Sequence, residues 1–370
     1  MINGDRIRQA RDIAGLTQEQ VASRLNTSQA QIAYFEQSLR QPKEDTLIEI
    51  ALATSFPISF FRRETAPDLP LGSLLYRRRK AMTSRDCDQV LQLGRVILEA
   101  TLVLGEGFRD IDLKLPRISG TTPYEAARIA RAELGFSPDR PITNLMTRLE
   151  RNGVIIAPVP VNIDEHDAFS VWADTEPRKP IIVMTSGKPG DRQRWSLSHE
   201  LGHLIMHYAF RASISQIENE ANLFASEFLI PEEAARKELV APITLTSLAE
   251  AKSRWGIAIQ ALIQRAFQLN IITDGQRRYL FRQMGSRGWL RNEPVAIPPE
   301  KPRLLRKLIE AVYGTNVDLK AIADRFSIPI GMMREIYDSY RPAKALTKHE
   351  EEIKPSKNGK LLTMPTAKLA

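Results

Sequence analysis

The chain has a single cysteine, Cys87, among 370 residues. An intrachain disulfide is therefore impossible, and the expected setting is the reducing cytoplasm. No apolar run approaches the length needed to cross a bilayer, and the opening residues MINGDRIRQAR lack the apolar centre of a secretory signal. These shortages exclude a disulfide-stapled secreted scaffold and a helical membrane protein, and no membrane partner is expected. Net charge is also missing where a polyanion-binding domain would carry it. The whole chain is +8, yet residues 1–65 hold eight basic and eight acidic side chains. The excess sits in YRRRK (76–80), in 276–291 and in the tail. Any nucleic-acid affinity of the first segment must come from where side chains are placed, not from bulk charge.

Turn and cap residues divide the chain. Residues 5–62 read as short helices, with Gly15 and Asn26 at the changes of direction and Thr17 and Thr27 as N-caps. A basic, mostly helical connector follows to about 118. Two helices, TPYEAARIARAELG and ITNLMTRLERNG, stop at Gly135 and Gly153. The pattern then changes to β-branched runs, VIIAPVPV, AFSVWAD and KPIIVMTS, which read as three short antiparallel strands. KPIIVMTS is the expected edge strand, against which an extended peptide could align. Two helices at about 192–209 and 215–229 come next, and helical segments continue to about 340.

Histidine is scarce, five in all, and three of the five lie in SLSHELGHLIMHY (196–208). At about 100° per residue, Leu197, Leu201, Leu204, Ile205 and Tyr208 share one side of that helix. His199 and His203 stand opposite, one turn apart, as two ligands of one tetrahedral zinc ion must. Glu200 beside them is the candidate general base for a water molecule. A bare HExxH is short, and an ordinary amphipathic helix is the competing reading. The extended motif with a glycine and a third histidine is excluded, since Met206 and Ala209 occupy those positions. The next helix, ENEANLFASEFLIP, offers Glu218 as third ligand, with Asn222 one turn on to orient an imidazole. Glu220 points about 200° away from Glu218, so the two cannot serve equally, and Glu218 is preferred. His166 reads as a loop residue. His207 and Tyr208 are guesses for stabilising an oxyanion.

RQRWSLSHELGHLIMHY followed by ENEANLFASEFLIP resembles the ImmA/IrrE family of zinc metallopeptidases, strongly over about 120–232 and weakly beyond. The matching residues are His199, Glu200, His203, Glu218, Ala221, Asn222, Phe224, Ala225 and Pro231. The resemblance implies Zn2+ and hydrolysis of a peptide bond, typically in a DNA-binding repressor. Upstream, LTQEQVASRLNTSQAQIAYFEQ resembles the helix-turn-helix of Cro/cI-type (XRE) regulators over about 4–62. Ala22 is small where two helices cross, and Leu25, Ile32 and Phe35 supply apolar contacts. Ser28, Gln29 and Gln31 then lie at the exposed start of the second helix, where glutamine can read an adenine edge. Gln18 is placed to meet a backbone phosphate, as that family's glutamine does. AIADRFSIPIGMMREIYD has similar spacing but reads as a module that closes the core.

The expected chain is multidomain and mainly α. It comprises an all-α helix-turn-helix domain (1–62), a basic connector (63–118) and an α+β zincin-like domain with a three-stranded antiparallel sheet (119–232). A helical C-terminal extension (233–340) and a disordered tail (341–370) complete it. The leading functional expectation is a regulator that binds a double-stranded operator as a homodimer. Its zinc endopeptidase cleaves a regulatory protein or the chain itself. A second reading is a transcription factor or antitoxin-like autoregulator whose peptidase-like domain is a non-hydrolytic sensor or partner-binding module. A third is a peptidase whose N-terminal bundle only recognises substrate.

Overall fold

The computed structural model describes residues 1–70, 83–106, 113, 115–160, 168–208 and 213–341. YRRRK, His166 and the tail from 342 lie outside them. The N-terminal bundle comprises α1 (Gly4–Ile13), α2 (Gln18–Arg24), α3 (Gln29–Glu36) and α4 (Glu44–Thr54), closed by a 3-10 turn at Ile58–Arg62. Thr17 caps α2 reciprocally with Gln20. The cap of α3 is Ser28, whose hydroxyl accepts from the Gln31 amide, and not Thr27. Both residues can cap, and Ser28 has the extended backbone that precedes the first helical turn.

Helix α5 (Ser84–Gly105) falls in the expected connector, yet it is a core helix. Its middle is buried between the bundle and the sheet. Gly94 makes that approach possible: a Cβ there would stand 2.8 Å from Val183 Cγ2. Ion pairs fasten the bundle to it. Arg6 grips Glu99 through both terminal nitrogens at 2.9 and 2.8 Å, and Arg95 reaches Asp5 at 3.0 Å.

Helices α6 (Pro123–Glu133) and α7 (Leu145–Arg151) precede strands β1 (Ile155–Val159), β2 (Ala168–Trp172) and β3 (Pro180–Thr185). The sheet corrects the expectation of an antiparallel meander. Its order is β1-β3-β2, with β1 parallel to β3 and β2 antiparallel to it. KPIIVMTS is therefore the central strand and not an edge. Backbone chemistry explains why. Every residue of β3 is buried, but so is every residue of β1, so both strands are covered on both faces and burial alone does not choose the centre. Pro158 in β1 has no N–H to give to a second neighbour, which confines β1 to an edge.

The rest is helical: α8 (Gly190–Met206), α9 (Ile214–Leu229), α10 (Glu232–Glu238), α11 (Leu245–Trp255), α12 (Ile259–Gln268), α13 (Asp274–Ser286), α14 (Leu304–Tyr313), α15 (Leu319–Phe326) and α16 (Ile330–Ser339). Two cores share the sheet. Ile181 and Val183 of β3 face the bundle, α5 and α14–α16. Ile182 and Met184 face α6–α9 and α11–α13. The segment with a second helix-turn-helix spacing, α15 and α16, thus buries its apolar face in the first core. No helix among the described residues is long and apolar enough to cross a membrane.

Candidate metal centre and nucleic-acid interface

Leu197, Leu201, Leu204 and Ile205 of α8 are buried in the second core, as the wheel requires. Tyr208 is not among them: it follows the end of α8 and is 39% exposed. The opposite face of α8 is covered by α9. Gly202, between the histidines, lets the two helices touch, because a Cβ there would lie 3.0 Å from the Phe224 ring. Close crossing leaves His203 buried and His199 nearly so.

Three donors converge beneath that crossing. His199 Nε2 and His203 Nε2 are 3.0 Å apart. Glu218 places one carboxylate oxygen 3.4 Å from His199 Nε2 and the other 3.4 Å from His203 Nε2. A tetrahedral ion with ligands at about 2.0–2.1 Å has ligand–ligand edges of about 3.3 Å. The observed separations fit that size, and the two-imidazole, one-carboxylate set is the chemistry zinc takes with a position left over for water or substrate. Asn222 stands behind the first ligand, its Oδ1 3.0 Å from His199 Nδ1.

Glu200 takes a different position. It is 1% exposed, and Ser170 of β2 meets it: Ser170 Oγ is 2.8 Å from Glu200 Oε2 and 3.0 Å from the Glu200 carbonyl oxygen. Trp172, two residues along the same face of β2, donates its indole N–H to the Leu204 carbonyl at 3.2 Å. Strand β2, an outer strand of the sheet, is thus the one that holds α8. Sequence reasoning contained no signal for Ser170.

The third histidine, His207, belongs to the same stripe. Its Nδ1 is 3.0 Å from His203 Nδ1, and its Nε2 is 3.0 Å from Glu220 Oε2. Glu220, the weighed alternative to Glu218, is engaged there, and Gln216 Nε2 donates to its other oxygen at 2.8 Å. Burial pulls the His207 imidazole below its ordinary pKa, against the raising effect of the Glu220 bond. Burial works to raise the Glu220 carboxyl, but the bonds from Gln216 and His207 outweigh it and hold it low. The 199-203-207 spacing was the available sequence signal for His207.

In the bundle, the four singled-out residues also gather. Gln18 Nε2 donates to Glu36 Oε2 at 2.8 Å, and Gln29 Nε2 lies 3.4 Å from Gln18 Oε1. Glu36 is itself held by Arg11 at 2.5 and 3.0 Å. Ser28 and Gln29 are exposed and Gln31 is half-buried. Arg40, which the sequence reading passed over, reaches back to donate to Gln31 Oε1 at 2.8 Å. The arrangement offers amide groups at a helix N-terminus, steadied from below by a carboxylate.

Two family profiles match the chain. Residues 7–61 match the helix-turn-helix family, and residues 150–267 match the family described as IrrE N-terminal-like domain, peptidase M78. No curated protein matches the chain. The chain thus carries an N-terminal helix-turn-helix domain of the DNA-binding XRE type and an IrrE-like domain of a peptidase family.

Proposed function

We propose that this regulator is a zinc-dependent endopeptidase whose IrrE-like domain cleaves a regulatory protein, or the chain itself, while its bundle holds a DNA operator. The observation that carries the reading is the near-tetrahedral spacing of His199 Nε2, His203 Nε2 and Glu218, at 3.0, 3.4 and 3.4 Å. The three side chains would hold the ion, with Asn222 fixing His199 from behind. Zinc supplies, when bound, Lewis acidity that polarises a peptide carbonyl and makes water nucleophilic near neutral pH. The Glu200 carboxylate takes the proton of the attacking water and hands it to the leaving amine. Ser170, bonded to Oε2, fixes the direction in which that carboxylate points. The bundle has no net charge to spare for phosphates, so two copies on a two-fold operator supply what one cannot.

A second reading is favoured by the burial of Glu200. A carboxylate 1% exposed and tied to β2 also suits a metal-dependent sensor that transmits ligand binding without hydrolysis. One experiment separates them. The zinc-loaded full chain and its Glu200→Gln variant are incubated with a cell extract, and new peptide N-termini are mapped by mass spectrometry. The peptidase reading expects cleavages, in another regulator or in the chain, that Glu200→Gln loses by at least about a hundredfold. Identical termini from both proteins leave only the sensor.

A further inference from the structure

The paired histidines need more than proximity to act as ligands, because each must present a bare nitrogen on the inward side. Neutral imidazole carries one proton, on either Nδ1 or Nε2, and a metal can take only the nitrogen without it. The structure contains a chain of groups that makes this choice for His203. It runs from Gln216 through Glu220 and His207 to His203 Nδ1, with successive contacts of 2.8, 3.0 and 3.0 Å.

Start at the acidic end. Ionised Glu220 can only accept, so the hydrogen between it and His207 belongs to His207 Nε2. A neutral His207 with its proton on Nε2 has a bare Nδ1. Two Nδ1 atoms 3.0 Å apart need one hydrogen between them, and with His207 bare it must be carried by His203. His203, protonated on Nδ1, then has a bare Nε2, the atom that lies 3.0 Å from His199 Nε2 and 3.4 Å from Glu218. The other ligand is set by a shorter device, in which Asn222 Oδ1 accepts from His199 Nδ1 at 3.0 Å.

We infer that His207, oriented by Glu220, is a positioning residue that locks His203 in the tautomer whose Nε2 is free to bind the ion. The consequence for zinc rests on the metal reading above, but the tautomer itself does not. His207 follows the end of α8 and Glu220 lies on α9, so the lock also ties the register of one helix to the other. A side-chain exposure of 8% at His207 keeps water from competing for either nitrogen.

The test has two arms. Ring nitrogen-15 NMR of the metal-free full chain reads the tautomers directly. The expected pattern is a protonated Nε2 with a bare Nδ1 on His207, and a protonated Nδ1 on His203. A proton on His207 Nδ1 overturns the inference, whatever zinc does. Chelator competition then measures zinc affinity. Glu220→Ala and His207→Ala are expected to weaken it by about ten- to a hundredfold, with the thermal midpoint of the metal-free protein unchanged for Glu220→Ala. His207→Asn, whose side-chain oxygen can stand near the place of Nδ1 and accept from His203, recovers much of the loss. Wild-type affinity in Glu220→Ala and His207→Ala alike also overturns the lock. If His207→Ala fails to fold, Glu220→Ala decides, since its partly exposed carboxylate supports no core. A wild-type chain that shows the expected tautomers and binds no zinc sinks the metal reading and leaves the lock standing.

Discussion

The candidate metal centre and the glutamine cluster of the bundle are built from the same parts and lead opposite lives. Each places polar side chains on two crossing helices, with a small residue where the helices meet: Gly202 under Phe224 in one, buried Ala22 in the other. In the first, the crossing covers the polar groups, and every ring nitrogen of His199, His203 and His207 has a partner at 3.0 Å. In the second, Ser28 and Gln29 stay exposed, and Gln29 reaches its neighbour Gln18 only at 3.4 Å. A metal ion tolerates a few tenths of an ångström, so its ligands are fixed by burial and by outer hydrogen bonds. A DNA edge arrives with its own donors and acceptors, so the proposed readers would gain by remaining able to turn.

The harshest challenge to that contrast is to remove one donor from the fixed cluster. His203→Ala takes away a proposed ligand and leaves His207 and Glu218 facing a void. Zinc affinity should fall by more than the roughly hundredfold that marks loss of an outer partner. Operator binding, measured by gel shift on the same preparation, should not change. Loss of both together would mean that the two clusters are one cooperative unit, linked through α5 and the shared sheet.

The next largest effect lies where the exposed cluster meets burial. Glu36 is buried, pairs with Arg11 at 2.5 Å and steadies Gln18 at 2.8 Å. Glu36→Ala takes two hydrogen bonds from a largely buried guanidinium, which keeps Asp12 at 2.6 Å and the Leu16 carbonyl at 2.9 Å, and costs about 1–3 kcal/mol. All four tryptophans lie between 172 and 289, so their fluorescence reports only the other half of the molecule. Bundle amides should lose hydrogen-exchange protection while tryptophan unfolding in urea and zinc affinity stay as in the parent. Coincident loss in both halves would show the bundle to be no separate stability unit.

Legibility in the sequence divides along the same line. Features set by local spacing could be read. HExxH and the Glu218/Asn222 pair are one-turn relations within a helix, and a helix fixes such relations whatever surrounds it. Features set by contact between distant segments could not. The β1-β3-β2 order depends on which of three apolar strands pairs on both sides, and the clue, Pro158 without an N–H, acts only once neighbours exist. Ser170 meets Glu200 across 30 residues, and His207 finds Glu220 on another helix. Thr27 and Ser28 are both good caps, and the extended backbone at Ser28 places its hydroxyl on the Gln31 amide. Helix α10, seven residues long and just after Pro231, was too short to show a period.

A pH series sharpens the comparison, because the bundle holds a strained acid that the glutamine face does not reveal. Burial pushes the Asp12 carboxyl up to about 6 against the attraction of Arg11, which pairs with it at 2.6 Å. The unfolded chain protonates Asp12 near 3.8. Between those values the folded bundle binds the extra proton, so its stability is fullest below about 3.8 and falls as pH rises to about 6. The whole swing is on the order of 3 kcal/mol. Exchange protection of α1 and α3, corrected for the intrinsic rate, should decline across that window, and Asp12→Asn should flatten the decline. A profile that is flat in the parent protein would mean that Asp12 stays ionised beside Arg11.

The smallest expected change comes from the exposed cluster itself. Gln29→Ala removes an amide that is already free to turn and that leans on Gln18 only at 3.4 Å, so the fold should lose less than about 0.5 kcal/mol. A bidentate contact to a base edge is worth about 1–3 kcal/mol of discrimination, and the whole loss should appear as relaxed preference at one operator position. Selection of operator variants with the two proteins reads this directly, at a fixed salt concentration because phosphate contacts are unaltered. Uniform weakening at every position would instead make Gln29 a backbone contact. The reading surface would then belong to Gln31, which is the more fixed of the two because Arg40 holds it at 2.8 Å, and the contrast between a rigid metal cluster and a compliant DNA cluster would narrow.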